Sequence, residues 1–315
     1  MNKKRYNKFA LGYNGDENLI NELGKLTKYI DSIYFGLPLS YSIKSGRRID
    51  VDLDNLYSMS KSAEEKDINK ILLFNSPHFL ESGSLKQLLD ELKNELIPLI
   101  KKLNVDSVIT NHSIVGEYLK NKLGDNLKLG TSTLNNLMNK EELERFKKRG
   151  FDYFTLGREA SRDIELLKKL SSEFKLKILV NESCLRFCEY QSQHIFYTAF
   201  GVDEIERLLP CRKCKLSEFF NSNWLLPRWL EYLDDYIYRF KLVTRTMSTE
   251  RIKKTVEAYG EGLEVDNFFD IINSGTRNLA KSKLNNLNTQ LIPDKVLTDP
   301  NKNYYEELSK KIFYD

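Results

Sequence analysis

Residues 127–157, LKLGTSTLNNLMNKEELERFKKRGFDYFTLG, contain a predicted strand, helix and strand, and this stretch decides the fold class. Leu127 to Thr131 is a short apolar run typical of a strand. Asn135 to Arg149 begins after a cluster of Thr, Ser and Asn and ends at Gly150, which predicts a helix capped at both ends. Asp152 to Gly157 follows at once as the next strand. The stretch is therefore the repeating unit of a parallel sheet.

The same alternation extends through most of the chain in both directions. Amphipathic stretches such as Ser84 to Leu103 lie between the apolar runs, and Pro98 is expected to kink that helix or end its first half. Strand starts are separated by about 20 to 38 residues through the first seven units, which accommodates a strand, a helix and two loops. The eight predicted strands are Phe9 to Tyr13, Ser32 to Leu37, Lys70 to Phe74, Ser107 to Thr110, Leu127 to Thr131, Asp152 to Gly157, Lys175 to Asn181 and Arg239 to Thr244.

Eight parallel strands with alternating helices most economically close into a TIM-like (β/α)8 barrel, because closure removes both exposed sheet edges. An open doubly wound sheet is the alternative. The long gap before the last strand predicts a cysteine-bearing insertion at 184–226, in which Asn223 to Leu226 is a competing strand. We expect the barrel to occupy residues 1–260, with Thr249 to Tyr259 as its last helix. Residues 261–315 are expected to form a C-terminal extension packed on the barrel, with 285–315 as an extended tail.

Composition indicates a folded chain and excludes several classes of protein. The 315 residues are 41% hydrophobic, 30% charged and 11% aromatic, which does not fit disorder, collagen or coiled coil. The net charge of +4 is too mild to demand a nucleic-acid partner, although RNA stays possible. Without an apolar stretch of 18 residues or a signal-like start, the chain is expected to be cytoplasmic and to have no membrane span.

Polar side chains follow the predicted strands, at the end of the barrel where active sites of this fold lie. Arg158, Glu182 and Arg245 come directly after buried strands, so each charge must be paired, solvated in a cleft or used on a ligand. Arg158 and Arg245 are candidates for binding an anionic group of the substrate. Candidate proton carriers are Glu182 and His112, and further substrate-binding candidates are Asn111 and Asn181. The alternative for each of these residues is a structural role, as a partner in an ion pair or hydrogen bond at a strand end or as part of a turn.

The four cysteines of the chain are the most specific chemical feature of the sequence. Cys184 and Cys188 form a C-x3-C pair, and Cys211 and Cys214 form a C-x2-C pair 22 residues later. In a reducing compartment such clustering indicates a metal site rather than disulfides. Four thiolates suit tetrahedral zinc or an iron–sulfur cluster, and the three-residue gap slightly favours the cluster.

Four blocks of sequence resemble the collagenase-like peptidase family, peptidase family U32. They are KLKILVNESCLRFC at 175–188, CRKC at 211–214, NWLLPRWLEYL at 223–233 and FKLVTRTMSTERIKKTVEAY at 240–259. The resemblance covers roughly residues 105–260. It implies a TIM-like barrel, a [4Fe–4S] cluster on the four cysteines and, as in several relatives, oxygen-independent hydroxylation of RNA bases or of a quinone precursor. Asn181, Glu182 and Arg245 match motif positions of the family. The resemblance does not extend to the glycine-rich stretch or to the additional carboxyl-terminal domains of longer relatives.

Three functions follow as alternatives. The first is an iron–sulfur-dependent enzyme that hydroxylates or otherwise modifies an anionic small molecule, a peptide or RNA at the barrel mouth. The second is a peptidase, although the sequence contains no G-x-S-x-G or H-E-x-x-H signature. The third is a noncatalytic protein, stabilised by zinc, that docks on a protein partner.

Overall fold

Eight parallel strands form a nearly closed barrel, in a computed structural model that describes residues 5–38, 51–76, 85–191, 193–194, 197, 216–273, 287–298 and 302–314. The strands follow the order β5-β4-β3-β2-β1-β8-β7-β6, and a parallel bridge between Gly130 and Tyr153 joins the two outer strands. All eight predicted strands and the (β/α)8 fold are confirmed. The strands are β1 (Phe9–Gly12), β2 (Ile30–Phe35), β3 (Asn69–Phe74), β4 (Ser107–Thr110), β5 (Lys128–Thr131), β6 (Phe154–Thr155), β7 (Leu176–Leu179) and β8 (Arg239–Leu242).

Helices follow most of the strands and cover the outside of the barrel. In the described part of the chain they are α1 (Leu19–Leu23), α2 (Leu53–Glu65), α3 (Leu85–Glu91), α4 (Ile97–Lys102), α5 (Ser113–Leu123), α6 (Lys140–Lys147), α7 (Ile164–Ser171), α8 (Leu216–Phe220), α9 (Thr249–Glu261), α10 (Lys295–Thr298) and α11 (Lys302–Tyr314). A π-helical turn, Leu92–Leu96, joins α3 to α4 just before Pro98. Because proline lacks an amide hydrogen and crowds the preceding turn, it disturbs the helix there, as predicted. No helix among the described residues is long and apolar enough to cross a bilayer.

Side chains of each strand alternate between two faces of the barrel wall, as the period of two requires. The outward face, with residues such as Phe9, Leu11 and Val108, joins the large core under the helices. The inward face forms a separate small cluster that includes Ala10, Ile71, Ile109, Tyr34 and Tyr153. The charged residues of β7 and β8 belong to this inward set by their register: Lys177, Arg239 and Lys241.

The helix predicted for Asn135 to Arg149 begins later than expected. A 3-10 turn, Thr133–Asn135, is followed by Asn136 in the left-handed conformation (φ 47°), which stops helical propagation. Helix α6 then begins at Lys140, where Asn139 and Glu142 form a reciprocal capping box. The cluster of Ser, Thr and Asn thus caps a short turn, and a second cap downstream starts the helix.

In the C-terminal third, the choice of Arg239 to Thr244 as the last strand is confirmed. The competing run Asn223 to Leu226 forms no strand; Trp224 lies in the core and its ring stacks on Trp229 at 5.5 Å between centroids. In the described part of 285–315, the expected extended tail is largely helical, and Tyr305 of α11 is buried. Burial of large aromatic side chains stabilises the packing of these segments, although their sequences show no clear amphipathic period.

Candidate active site

An ion pair between Arg158 and Glu182 lies at the carboxyl ends of β6 and β7. Arg158 begins the 3-10 turn after β6 and Glu182 follows β7, so the pairing of these strands brings the two side chains together. Arg158 donates from Nε to Glu182 Oε2 at 2.5 Å and from Nη2 to Oε1 at 3.3 Å. This two-point geometry orients the carboxylate as well as neutralising it. Of the alternatives predicted for these two charges, the structure shows pairing: Arg158 and Glu182 form an ion pair at the expected end of the barrel.

The Arg158 guanidinium also lies close to Cys184. Burial alone would lower the pKa of Arg158, but Glu182 and Cys184 hold it above its ordinary value. Arg158 Nη1 is buried and has no hydrogen-bond partner among the described residues. The guanidinium is therefore permanently charged, with donor capacity beyond its bond to Glu182.

Arg245 and Lys241 extend the positive charge across the mouth from β8. A Cβ added at Gly12 would lie 2.8 Å from both Arg245 Cγ and Tyr34 Oη, so only a glycine leaves room for both side chains at this position. Tyr34 donates its hydroxyl to the Leu242 carbonyl at 2.8 Å, and its ring lies 4.6 Å from Lys241 Nζ. Arg245 and Arg158 both lower the pKa of Lys241 electrostatically, although burial is the larger cause.

Asn181 is enclosed at the end of β7 and holds neighbouring backbone together. Its Oδ1 accepts from Val243 N at 2.6 Å, and its Nδ2 donates to Ile271 O at 3.1 Å. The Asn181 carbonyl also accepts from Asn273 N at 2.6 Å. These bonds tie the ends of β7 and β8 to the segment that follows α9. A role of Asn181 in substrate binding stays a prediction.

Asn111 and His112 lie after β4, three strands from Glu182 around the barrel. His112 Nε2 is 3.0 Å from the Ser76 carbonyl. Because a carbonyl only accepts, Nε2 must carry the hydrogen in this contact, which leaves Nδ1 as the acceptor of the neutral ring. Burial lowers the pKa of His112, partly opposed by the Ser76 carbonyl. Asn111 Oδ1 is buried without a hydrogen-bond partner in the described part of the chain.

The first two cysteines lie in a turn beside the Arg158–Glu182 pair. Cys184 and Cys188 are half-buried and form no disulfide among the described residues, and the turn is held by the Cys184 carbonyl, which accepts from Asn223 N at 2.9 Å. Phe187 takes a left-handed conformation (φ 54°) between the two cysteines. Cys211 and Cys214 lie outside the described residues. Among the described residues, no group of three or more His, Cys, Asp or Glu side chains is arranged to hold a metal ion.

These thiols fit the soft-donor half of a metal or cluster site. Both are unbridged and retain some exposure. Cys184 lies within electrostatic reach of the buried Arg158 guanidinium, and metals bind cysteine as the thiolate. Completion of the ligand set by Cys211 and Cys214 stays a prediction.

Sequence reasoning missed Lys241, Tyr34 and Gly12. A signal was present in β8, where Arg239 and Lys241 alternate with the buried apolar residues Phe240 and Leu242. In a barrel strand, positions two apart share a face, so charges at this period must face the interior. No local pattern marks Gly12 or Tyr34, because their contacts with Arg245 and Lys241 are between distant parts of the chain.

Comparison with known proteins identifies relatives of the chain. The family model of peptidase family U32 matches residues 22–187. An uncharacterized protease of Methanocaldococcus jannaschii is 21% identical over 278 residues, which cover 80% of this chain and 81% of the relative. The solved structure of a U32 peptidase superimposes with a TM-score of 0.54 at 13% identity, over 76% of this chain and 92% of that one. At this identity the structural likeness supports the fold alone.

Proposed function

The chain belongs to peptidase family U32, and we propose that it is an iron–sulfur-dependent enzyme that modifies an anionic substrate at the barrel mouth. The proposed ligands of a [4Fe–4S] cluster are Cys184, Cys188, Cys211 and Cys214. The observation that carries this proposal is the position of Cys184 beside the Arg158–Glu182 pair. A purely structural metal site is free to lie anywhere on the fold, whereas this one shares the end of the barrel where catalysis occurs. When bound, the cluster would supply electrons to the substrate or activate an oxygen donor.

The protein's own residues have separable tasks in this proposal. Arg158 and Arg245 bind the anionic group of the substrate, because guanidinium donors match carboxylate and phosphate oxygens. Glu182, held in place by Arg158, accepts or returns a proton near the reacting carbon. Neutral His112 accepts a proton at Nδ1 from the opposite side of the mouth.

Metal and sulfide analysis of anaerobically purified protein tests the cluster. We expect a brown protein with iron and sulfide each at about four per chain. Alanine substitution of Cys184 or Cys188 should abolish the colour and the sulfide, whereas Ser183→Ala, a matched change in the same turn, should retain both. One zinc per chain with no colour in wild type contradicts the proposal and favours a zinc-stabilised partner protein or a hydrolase.

Peptide hydrolysis is a second candidate, favoured by the family description and by the protease name of the M. jannaschii relative. Glu182 beside a metal-bound water is the arrangement to test for it. Cleavage of a fluorescent casein that is lost in Glu182→Gln but kept in Glu165→Gln, a change at an exposed glutamate, would support hydrolysis. Absence of cleavage by metal-loaded wild-type protein would count against it.

A further inference from the structure

The inner faces of β7 and β8 carry three buried basic side chains, and an acidic partner is described below for one of them. Lys177, Arg239 and Lys241 are all buried there, and Asp31 forms an ion pair with Arg239. Lys177 is completely enclosed, and its Nζ has no hydrogen-bond partner among the described residues. A buried ammonium without a partner is costly, so such a site favours the neutral amine.

Lys241 differs from Lys177 in its access to the mouth. It is 8% exposed, whereas Lys177 is 0% exposed. Its Nζ lies over the Tyr34 ring at 4.6 Å. Arg245 follows four positions later, after the end of β8, and its Cγ and the Tyr34 hydroxyl both lie beside Gly12. Lys241 is therefore an amine at the floor of the mouth, with an aromatic wall on one side.

The charged groups that act on Lys241 are mostly positive and lie on or after β6, β7 and β8; β1, which also pairs with β8, carries no charged residue. They are Arg158 after β6, Lys177 on β7, Glu182 after β7 and Arg245 after β8. Glu182 is already bound by Arg158 through two hydrogen bonds. Burial, with Arg245 and Arg158 adding to it, lowers the pKa of Lys241 to about 7. A desolvated lysine beside other cations is the arrangement that activates an amine as a nucleophile.

We propose that Lys241 is a nucleophilic amine that forms an imine with a small carbonyl compound bearing a carboxylate, the α-keto acid class. Arg158 and Arg245 supply the charge for the carboxylate, while the aromatic ring of Tyr34 borders the amine. The ligand's carbonyl then lies against Nζ. About half of the Lys241 amine is uncharged at pH 7, because its pKa is lowered to about 7.

The step balances without an oxidant or reductant. The nitrogen lone pair forms a bond to the carbonyl carbon, and the carbonyl π electrons pass to oxygen. Two hydrogens leave nitrogen for that oxygen, which departs as water, and a carbon–nitrogen double bond remains. The step does not require the cluster of the proposed function, so the two proposals fail or succeed separately.

Reductive trapping tests this assignment. Protein is incubated at pH 7 with pyruvate and sodium cyanoborohydride, digested, and mapped by mass spectrometry. We expect Lys241 to carry the adduct at an occupancy at least about tenfold above that of any exposed lysine, because exposed lysines are almost wholly protonated at this pH. Lys177, which is fully enclosed, should remain unmodified. Lactate, which lacks the carbonyl, should give no adduct.

The site of labelling in the wild-type protein decides the proposal without any variant. Modification confined to exposed lysines, or modification of Lys177 in place of Lys241, would overturn it. Lys241→Arg, which keeps the positive charge but forms no imine, should lose the major adduct. Because iron content is measured on the same sample, a colourless protein that still labels at Lys241 would refute the cluster and leave this inference intact.

Discussion

Lys241 shows how a single buried residue couples the chemistry of the mouth to the stability of the fold. Its folded pKa of about 7 lies below the ordinary lysine value of 10.5. Between these two pH values the unfolded chain binds a proton that the folded chain does not. The free energy of unfolding therefore gains from Lys241 as pH rises from about 7 toward 10.5, and the cost of burying the amine is fully present below pH 7.

Replacing Lys241 with methionine should stabilise the protein at acidic to neutral pH. We expect the free energy of unfolding to rise by at least about 1 kcal/mol at pH 6, since a shift of one pKa unit corresponds to about 1.4 kcal/mol. The gain should shrink as pH rises from about 7 toward 10.5, above which the wild-type amine is neutral in both states. Urea denaturation at several pH values measures it, with Lys61→Met at an exposed position as the control. A gain independent of pH would show that the amine is not the cause.

Gly130 permits the closure of the barrel at its seam. A Cβ at this position would lie 2.2 Å from Tyr153 Cε2, which is closer than two non-bonded carbon atoms can approach. Tyr153 is buried in the barrel interior and its hydroxyl is 2.9 Å from Ser107 Oγ. Gly130 and Tyr153 also form the bridge that joins β5 to β6. A side chain at residue 130 must therefore displace the ring that fills the seam.

Gly130→Ala should lower the free energy of unfolding by about 1–3 kcal/mol through this overpacking. Tyr153→Leu in the same chain should relieve part of the loss by removing the ring. Chemical denaturation of both single variants and the double variant measures the coupling. Simple additivity of the two losses would contradict a clash between these residues.

Among the elements, α6 owes its start to its cap. Asn139 Oδ1 accepts from Glu142 N at 2.9 Å, and Glu142 Oε2 accepts from Asn139 N at 3.3 Å. The reciprocal bonds satisfy amides that have no partner within the helix. This cap, together with left-handed Asn136, sets where the chain after β5 becomes helical.

Asn139→Ala should cost about 1 kcal/mol of stability, as loss of a helix cap does. Asn139→Ser keeps an oxygen that accepts from the Glu142 amide, so most of the stability should return. Thermal or urea unfolding of the two variants compares them directly. Equal losses in both would mean that the side-chain bond contributes nothing here.

The strand β8 illustrates why the two faces of one element have different roles. Phe240 and Leu242 face the helices and belong to the core, whereas Arg239 and Lys241 face the interior. Arg239 pairs with Asp31 of β2, while Lys241 lies near the mouth. The same four residues thus stabilise the barrel wall and supply a candidate reactive group.

At the scale of the whole molecule, Arg162 links the barrel to segments far along the chain. Its guanidinium donates to the Trp224 carbonyl at 2.8 Å, to Phe220 O at 2.7 Å and to Val296 O at 3.3 Å. It also lies 4.6 Å from the centroid of the Trp224 ring. Burial lowers the pKa of Arg162 to about 9, so the charge persists at neutral pH. The insertion before β8 and helix α10 are therefore attached to the turn after β6.

Arg162→Met should lower the free energy of unfolding by about 3 kcal/mol or more, because the Trp224, Phe220 and Val296 carbonyls each lose a hydrogen-bond donor. Urea denaturation measures the loss, and limited proteolysis should show earlier cleavage in the C-terminal region. Arg149→Met removes a half-exposed arginine that contacts Glu117 at 3.1 Å, and should change stability by less than about 1 kcal/mol. Similar losses in both variants would deny Arg162 its connecting role.

The amino-acid sequence by itself determined the strand–helix repeat, the eight strands and the barrel. It also identified Arg158 and Glu182 as strand-end charges, because apolar runs and the residues that follow them can be recognised from the local sequence, without knowledge of tertiary contacts. The late start of α6 could not be predicted, because Asn136 and Asn139 belong to one run of residues that are all common at helix N-caps.

Only the tertiary structure decided which side chains meet. Glu182 binds Arg158, Asn181 holds the backbone at the ends of β7 and β8, and Lys241 lies over Tyr34. These contacts join residues from separate strands, so they depend on strand order and register rather than on any local pattern. The same long-range packing buries Lys241 among positive charges, and burial is what turns an ordinary lysine into a candidate nucleophile.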